Sequence, residues 1–151
     1  MLDLEAIELI KQLKARYFRF LDTGDFAGLE SVFAKDATAH FHGGSYEFTL
    51  NGWEDLEKFY RRAFTSTRFG MHTGHHPEIS VDGEQATGIW YLQDTFYYFK
   101  DNYVIRGTSL YTDSYAKIDG EWKISASGYK RLLEEKSPID PNVEFIVKPI
   151  N

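Results

Sequence analysis

Asp94 is the residue whose surroundings first demand a chemical explanation. Alternation along a strand puts Trp90, Leu92, Asp94 and Phe96 on one face, so a carboxylate interrupts an apolar row. Such a group must be ion-paired, protonated or functional, unless that face of the strand is the exposed one. A protonated carboxyl there would donate a hydrogen bond to a developing oxyanion, as ketosteroid isomerase does. A second cluster lies upstream, where His72, His75 and His76 fall close together. Histidine suits general-base work because its unperturbed pKa of roughly 6.5 lies near working pH. On a regular strand His72 and His76 share one face and His75 takes the other. A metal reading is weak, since the spacing fits no standard zinc motif and the chain has no cysteine. Arg131 offers either a clamp for an anionic substrate group or an ion pair with its neighbours Glu134 and Glu135.

The rest of the composition narrows the function classes. A chain of 151 residues is one ordinary domain with a real core. Rings make up 17% of it, which predicts either bulky packing or a cavity lined by aromatic side chains with polar tips. A net charge of −6 argues against nucleic acid as a partner. No apolar run reaches membrane-spanning length. The charged, helix-like N-terminus does not read as a signal peptide, so a cytoplasmic location is expected.

Helices come first. Leu4, Ile7, Ile10, Leu13 or Lys14, Tyr17 and Phe20 recur at three- and four-residue spacing, predicting an amphipathic helix that stops near Thr23 and Gly24. Asp25 caps a short second helix that closes at Asp36, followed by a strand over Ala37 to Phe41. His42 to Leu50 reads as a loop or hairpin turn, and Asn51 as the cap of a third helix, with Glu54 completing a capping box. Strands follow over His72 to Val81, Ala86 to Phe99, Val104 to Ile118 and Glu121 to Leu132, joined by short polar turns that imply antiparallel hairpins. The expectation is an α+β fold. Residues 1–136 form the domain. Residues 137–151 form an apolar-ended tail, packing either on its own domain or on a neighbouring subunit.

Five stretches together, AIELIKQLKARYFRFLD, MHTGHHPEI, ATGIWYLQD, YTDSYAKIDGEWKI and GYKRLLEE, resemble the SnoaL-like branch of the nuclear transport factor 2-like superfamily. Within it the resemblance is strongest to the bile acid 7α-dehydratase family, with scytalone dehydratase and lindane dehydrochlorinase more distant. It covers Leu4 to Glu135. It implies a cone-shaped barrel in which a highly curved antiparallel sheet wraps the helices around a deep pocket, with no cofactor. It also implies functional roles for Tyr17, Asp22, His72, Asp94 and Arg131, and it favours a homotrimer over a dimer.

Those roles are chemically coherent. His72 would remove a carbon-bound proton, Asp22 would fix the imidazole tautomer, and Tyr17 would donate to the oxygen on which charge develops. Asp22 lies five residues beyond Tyr17, about 140° past a full helical turn at 3.6 residues per turn, so it must be turned inward where the helix ends. The expected function is cofactor-independent water elimination from an apolar hydroxy-ketone or steroid-like molecule. The alternatives are isomerisation, hydration or cyclisation in the same pocket, or a non-catalytic small-molecule binding or assembly module. The loop from His40 to Leu50 is expected to border the pocket mouth.

Overall fold

A computed structural model describes residues 1–147. Helix α1 (Leu4–Thr23) is capped by Asp3, whose carboxylate accepts from the Ala6 N–H at 3.0 Å, and ends at Gly24 with φ 66°. Helix α2 (Phe26–Val32) has the expected Asp25 cap, which accepts from Gly28 N–H at 2.8 Å. Strands β1 (Phe33–His42) and β2 (Glu47–Asn51) precede helix α3 (Gly52–Ala63). Four long strands follow: β3 (Arg68–Asp82), β4 (Gln85–Tyr98), β5 (Tyr103–Ile118) and β6 (Glu121–Pro138).

The α+β architecture is as expected, helices followed by a curled sheet, and the sheet order is β2-β1-β6-β5-β4-β3. Three hairpins make β3 to β6, and the turn between β5 and β6 has φ 51° at Asp119 and 82° at Gly120, as a tight two-residue hairpin requires. Register shifts at Thr108/Ser109 and Ser114/Tyr115 add the local bends that curl a sheet. Helix α1 lies against β3, and α3 against β1.

Several expectations are corrected. The sheet is mixed, because β1 pairs in parallel with β6. No short turn joins these two strands, so the antiparallel rule for hairpins does not govern them. Strand β1 begins at Phe33 rather than Ala37, since Phe33 pairs with Ile124 and is buried there. Asn51 makes no side-chain cap; its backbone N–H donates to Asp55 at 3.3 Å instead. Of the loop and the hairpin turn expected over His42 to Leu50, the hairpin is what forms, with β2 pairing antiparallel with β1. Strand β6 runs past Leu132 to Pro138, held by β5.

Of the tail, Phe145 packs edge-on against Tyr97 and Phe99 of its own chain, with ring centroids 5.3 and 5.1 Å away. Ile150 lies outside the described residues. None of the helices among the described residues is long and apolar enough to cross a membrane.

Candidate active site

A cavity of about 750 Å³ opens between the helices and the curled sheet. Its lining includes Tyr17, His72, Asp94 and Arg131, four of the five expected site residues. The fifth, Asp22, does not line it but stands directly behind His72.

Asp22 sits in the last turn of α1, and the closeness of that helix end to β3 settles the geometric question raised by the five-residue spacing. His72 Nδ1 is 2.6 Å from Asp22 Oδ1, and the His72 backbone N–H donates to Oδ2 at 3.0 Å. The carboxylate therefore holds the ring and the main chain of β3 at once. An ionised carboxylate accepts only, so Nδ1 carries the proton and the unprotonated nitrogen is Nε2. Nε2 has no partner among the described residues, on a side chain that lines the cavity. The ring stacks on Phe18 with centroids 6.0 Å apart and planes at 10°, and touches Phe64 at 5.9 Å. Gly74 makes room for this stack, since a Cβ there would collide with the Phe18 ring.

Tyr17 is buried on α1 and its hydroxyl lies 3.3 Å from both Tyr60 Oη on α3 and Tyr111 Oη on β5. All three phenols line the cavity. Burial, then the neighbouring Tyr111 and Tyr60, pushes the Tyr17 phenol well above its ordinary range, and burial does the same for Tyr60 and Tyr111. They remain neutral donors at working pH. Tyr46 and Tyr129 form a second hydroxyl pair at 2.6 Å on the cavity wall. Trp53, Leu56, Phe59, Tyr60 and Ala63 recur at helical spacing as the apolar stripe of α3, but the pairing of Tyr60 with Tyr17 depends on how two helices and a strand converge.

Asp94 stands opposite His72 in the β3–β4 register. It is ion-paired: Arg131 grips it with both terminal nitrogens, Nη2 reaching Oδ2 at 2.8 Å. Arg131 Nε lies 3.0 Å from Glu134 as well, without a well-aligned hydrogen bond. Burial opposes the guanidinium charge, and the hydrogen bonds and charge of Asp94 outweigh it, raising the group's pKa. The ion pair expected with Glu134 is present and Asp94 is a second partner, so the guanidinium lines the cavity with two carboxylates already on it.

One buried pair escaped the sequence reading. Lys14 Nζ and Asp113 Oδ2 are 2.6 Å apart with both side chains fully buried. Asp113 also accepts from Tyr115 Oη at 2.9 Å and Ser127 Oγ at 2.7 Å. The ammonium sits 3.8 Å from the Tyr111 ring centroid and 4.4 Å from that of Tyr17. Burial lowers the Lys14 pKa, partly opposed by Asp113. The signal was present: Asp113 alternates with Tyr111 and Tyr115 just as Asp94 does with Leu92 and Phe96.

His75 and His76 lie apart from this site. A register shift between His75 and Glu78, with φ 50° at His76, breaks the strand's alternation. Their rings stack at 5.3 Å beside Tyr91 and Gln93, on the face opposite Asp94, so His76 does not share a face with His72. Among the described residues there is no group of three or more His, Asp or Glu side chains suited to a metal ion.

Residues 2–127 match the family model of the SnoaL-like domain. Solved structures share the fold closely at low identity. A protein from Novosphingobium aromaticivorans DSM 12444 provisionally named a scytalone dehydratase is 20% identical, with a TM-score of 0.79 over 98% of this chain and 95% of that one. The hexachlorocyclohexane dehydrochlorinase LinA-type3 from Novosphingobium barchaimii LL02 is 20% identical, with a TM-score of 0.78 over 95% and 96%. A Novosphingobium aromaticivorans protein provisionally named an aromatic ring hydroxylase is 18% identical, with a TM-score of 0.81 over 91% and 96%. The three names differ in chemistry, so the likeness speaks for the scaffold.

Proposed function

The chain belongs to the SnoaL-like domain family, and from that premise we propose that its cavity is the active site of a lyase that eliminates water from an apolar hydroxy-ketone or steroid-like molecule. The observation that carries the reading is the His72 ring, fixed by Asp22 at Nδ1 and leaving Nε2 to a cavity that Tyr17 also lines. Names of eliminating enzymes among the similar structures support it.

In this reading His72 Nε2 takes the proton from carbon next to a carbonyl or enone. The electron pair moves onto the carbonyl oxygen, where the neutral Tyr17 phenol donates a hydrogen bond and Tyr60 and Tyr111 hold that phenol in place. Asp22 stabilises the imidazolium. The enolate then collapses, the carbon–oxygen bond to the hydroxyl breaks, and the imidazolium proton leaves with it as water. Asp94 and Arg131 neutralise one another and stiffen the wall opposite. The chemistry as written needs no cofactor. A cytoplasmic homotrimer, with a dimer as the alternative and the tail at a subunit contact, belongs to the same proposal, as does the kinship with bile acid 7α-dehydratase.

The test is a mass-spectrometric screen of hydroxy-enone steroids and smaller alicyclic hydroxy-ketones for loss of water. Elimination from at least one member of either series is the expected result. Isomerised product or deuterium uptake from solvent without water loss would replace the lyase with an isomerase using the same base. No water loss and no exchange across both series would overturn the proposal.

A further inference from the structure

The Lys14–Asp113 pair is not accounted for by folding stability. Its two side chains are fully buried and 2.6 Å apart. Taking both charges out of water costs so much that an apolar pair of similar volume is often as stable or more so. What the ammonium touches is therefore informative. No hydrogen bond from Nζ is well aligned, and beyond Asp113 its contacts among the described residues are ring faces. The Tyr111 centroid is 3.8 Å away, that of Tyr17 4.4 Å and that of Phe18 5.0 Å. Two of these rings carry hydroxyls of the donor cluster, and the third stacks on His72. Lys14 precedes Tyr17 by three residues on α1, so the helix places the charge on the same side as the phenol that lines the cavity. Asp113 serves as the counter-ion, with Tyr115 donating to Oδ2 and Ser127 to Oδ1. Its negative charge makes the Tyr60 and Tyr111 phenols harder to ionise, whereas the Tyr17 shift comes from burial and its two hydroxyl neighbours.

We infer that Lys14 is a positioning residue of the proton-transfer site, its ammonium lying against the rings of Tyr17 and Tyr111 to strengthen the hydroxyl that meets the developing oxyanion. A phenol that donates to an oxyanion gains partial negative charge, which spreads over its ring. A cation on the ring face stabilises that charge, and burial leaves little water to screen it. A ground-state carbonyl draws far less charge from the phenol. The effect therefore belongs to the transition state and should appear in kcat rather than in KM. The inference rests on the lyase reading and adds to it a residue that touches no substrate atom.

Two measurements test it. Nitrogen NMR of wild-type protein with isotope-labelled lysines should show the Lys14 side chain as an ammonium at neutral pH. A neutral amine there would overturn the inference. The second measurement is steady-state kinetics and deuterium exchange on a hydroxy-ketone that the wild-type protein turns over. In the double variant Lys14→Met/Asp113→Asn, kcat and exchange should fall about tenfold, within the range of a desolvated cation–π contact, with KM unchanged. Lys11→Met removes the same charge from the exposed side of α1 and should keep wild-type rates. A folded double variant with wild-type kcat, or a fall carried by KM alone, would overturn the inference. Wild-type protein that neither exchanges nor eliminates any member of the two series sinks the lyase reading and this role with it. An active wild type beside an equally active double variant sinks this inference alone.

Discussion

Asp22 holds His72 at two points, through the ring nitrogen at 2.6 Å and through the backbone N–H at 3.0 Å. The two bonds act on different things. The first sets which nitrogen can receive a proton, and the second fixes where β3 presents the ring. Asp22→Asn separates them. The amide oxygen can still accept from one N–H, but its NH₂ group turned toward Nδ1 would force the other tautomer and put a proton on Nε2. A loss of turnover on the order of 10²–10⁴-fold is expected, with substrate KM and the urea midpoint little changed. A proportional loss of stability would instead mark Asp22 as structural.

Tyr17→Phe removes the hydroxyl that Tyr60 and Tyr111 both contact, while keeping the ring. Turnover should fall by roughly 10²-fold if this phenol stabilises the developing oxyanion, and Tyr60→Phe should cost less because its hydroxyl acts through Tyr17. Steady-state kinetics of the two variants on one substrate orders them. The reverse order would move the donor role to Tyr60.

Much of this arrangement was legible in the chain. Strand alternation singled out Asp94, and helical spacing put Tyr17 on the buried face of α1. What could not be read was convergence. Nothing near Tyr60 in sequence shows that its hydroxyl meets that of Tyr17, 43 residues away. The end of α1 could bring Asp22 inward, but only the contact with β3 decides that it does. The bulge after His75 defeated alternation because an extra residue inverts every face beyond it. Lys14 and Asp113 were missed for a plainer reason: each sits in an apolar row, and only their meeting turns two anomalies into one feature.

That pair gives a stability prediction. Lys14→Met strands a buried carboxylate and should cost about 3–5 kcal/mol. Adding Asp113→Asn removes the stranded charge, its amide oxygen still accepting from one of Tyr115 and Ser127 and its NH₂ donating to the other hydroxyl, so the double variant should recover much of the loss. Urea denaturation of the two variants measures the coupling. Equal destabilisation in both would show that the charges do not depend on one another.

The buried phenols give a pH prediction. Tyr17, Tyr60 and Tyr111 all have folded-state pKa values raised above the ordinary 10.0, chiefly by burial. In the unfolded chain they release protons near pH 10, while the native state keeps them. Stability is therefore present in full below that pH and is lost as pH climbs toward the folded values. Lys14 works the other way, because its pKa is lowered, but it is one group against three. Urea midpoints should fall above pH 10, and ultraviolet titration should show a set of tyrosines ionising only on unfolding. Free titration of every tyrosine in the native protein would contradict the buried cluster.

The central claim is that His72 moves a proton between carbon and the cavity. Deuterium incorporation next to the carbonyl of a bound hydroxy-ketone, followed by mass spectrometry in deuterated water, tests it without requiring that elimination be complete. Wild-type protein should exchange the position rapidly. His72→Gln, confirmed folded by circular dichroism, should slow exchange by about 10²–10⁴-fold. Exchange at the wild-type rate in the folded variant would contradict the account.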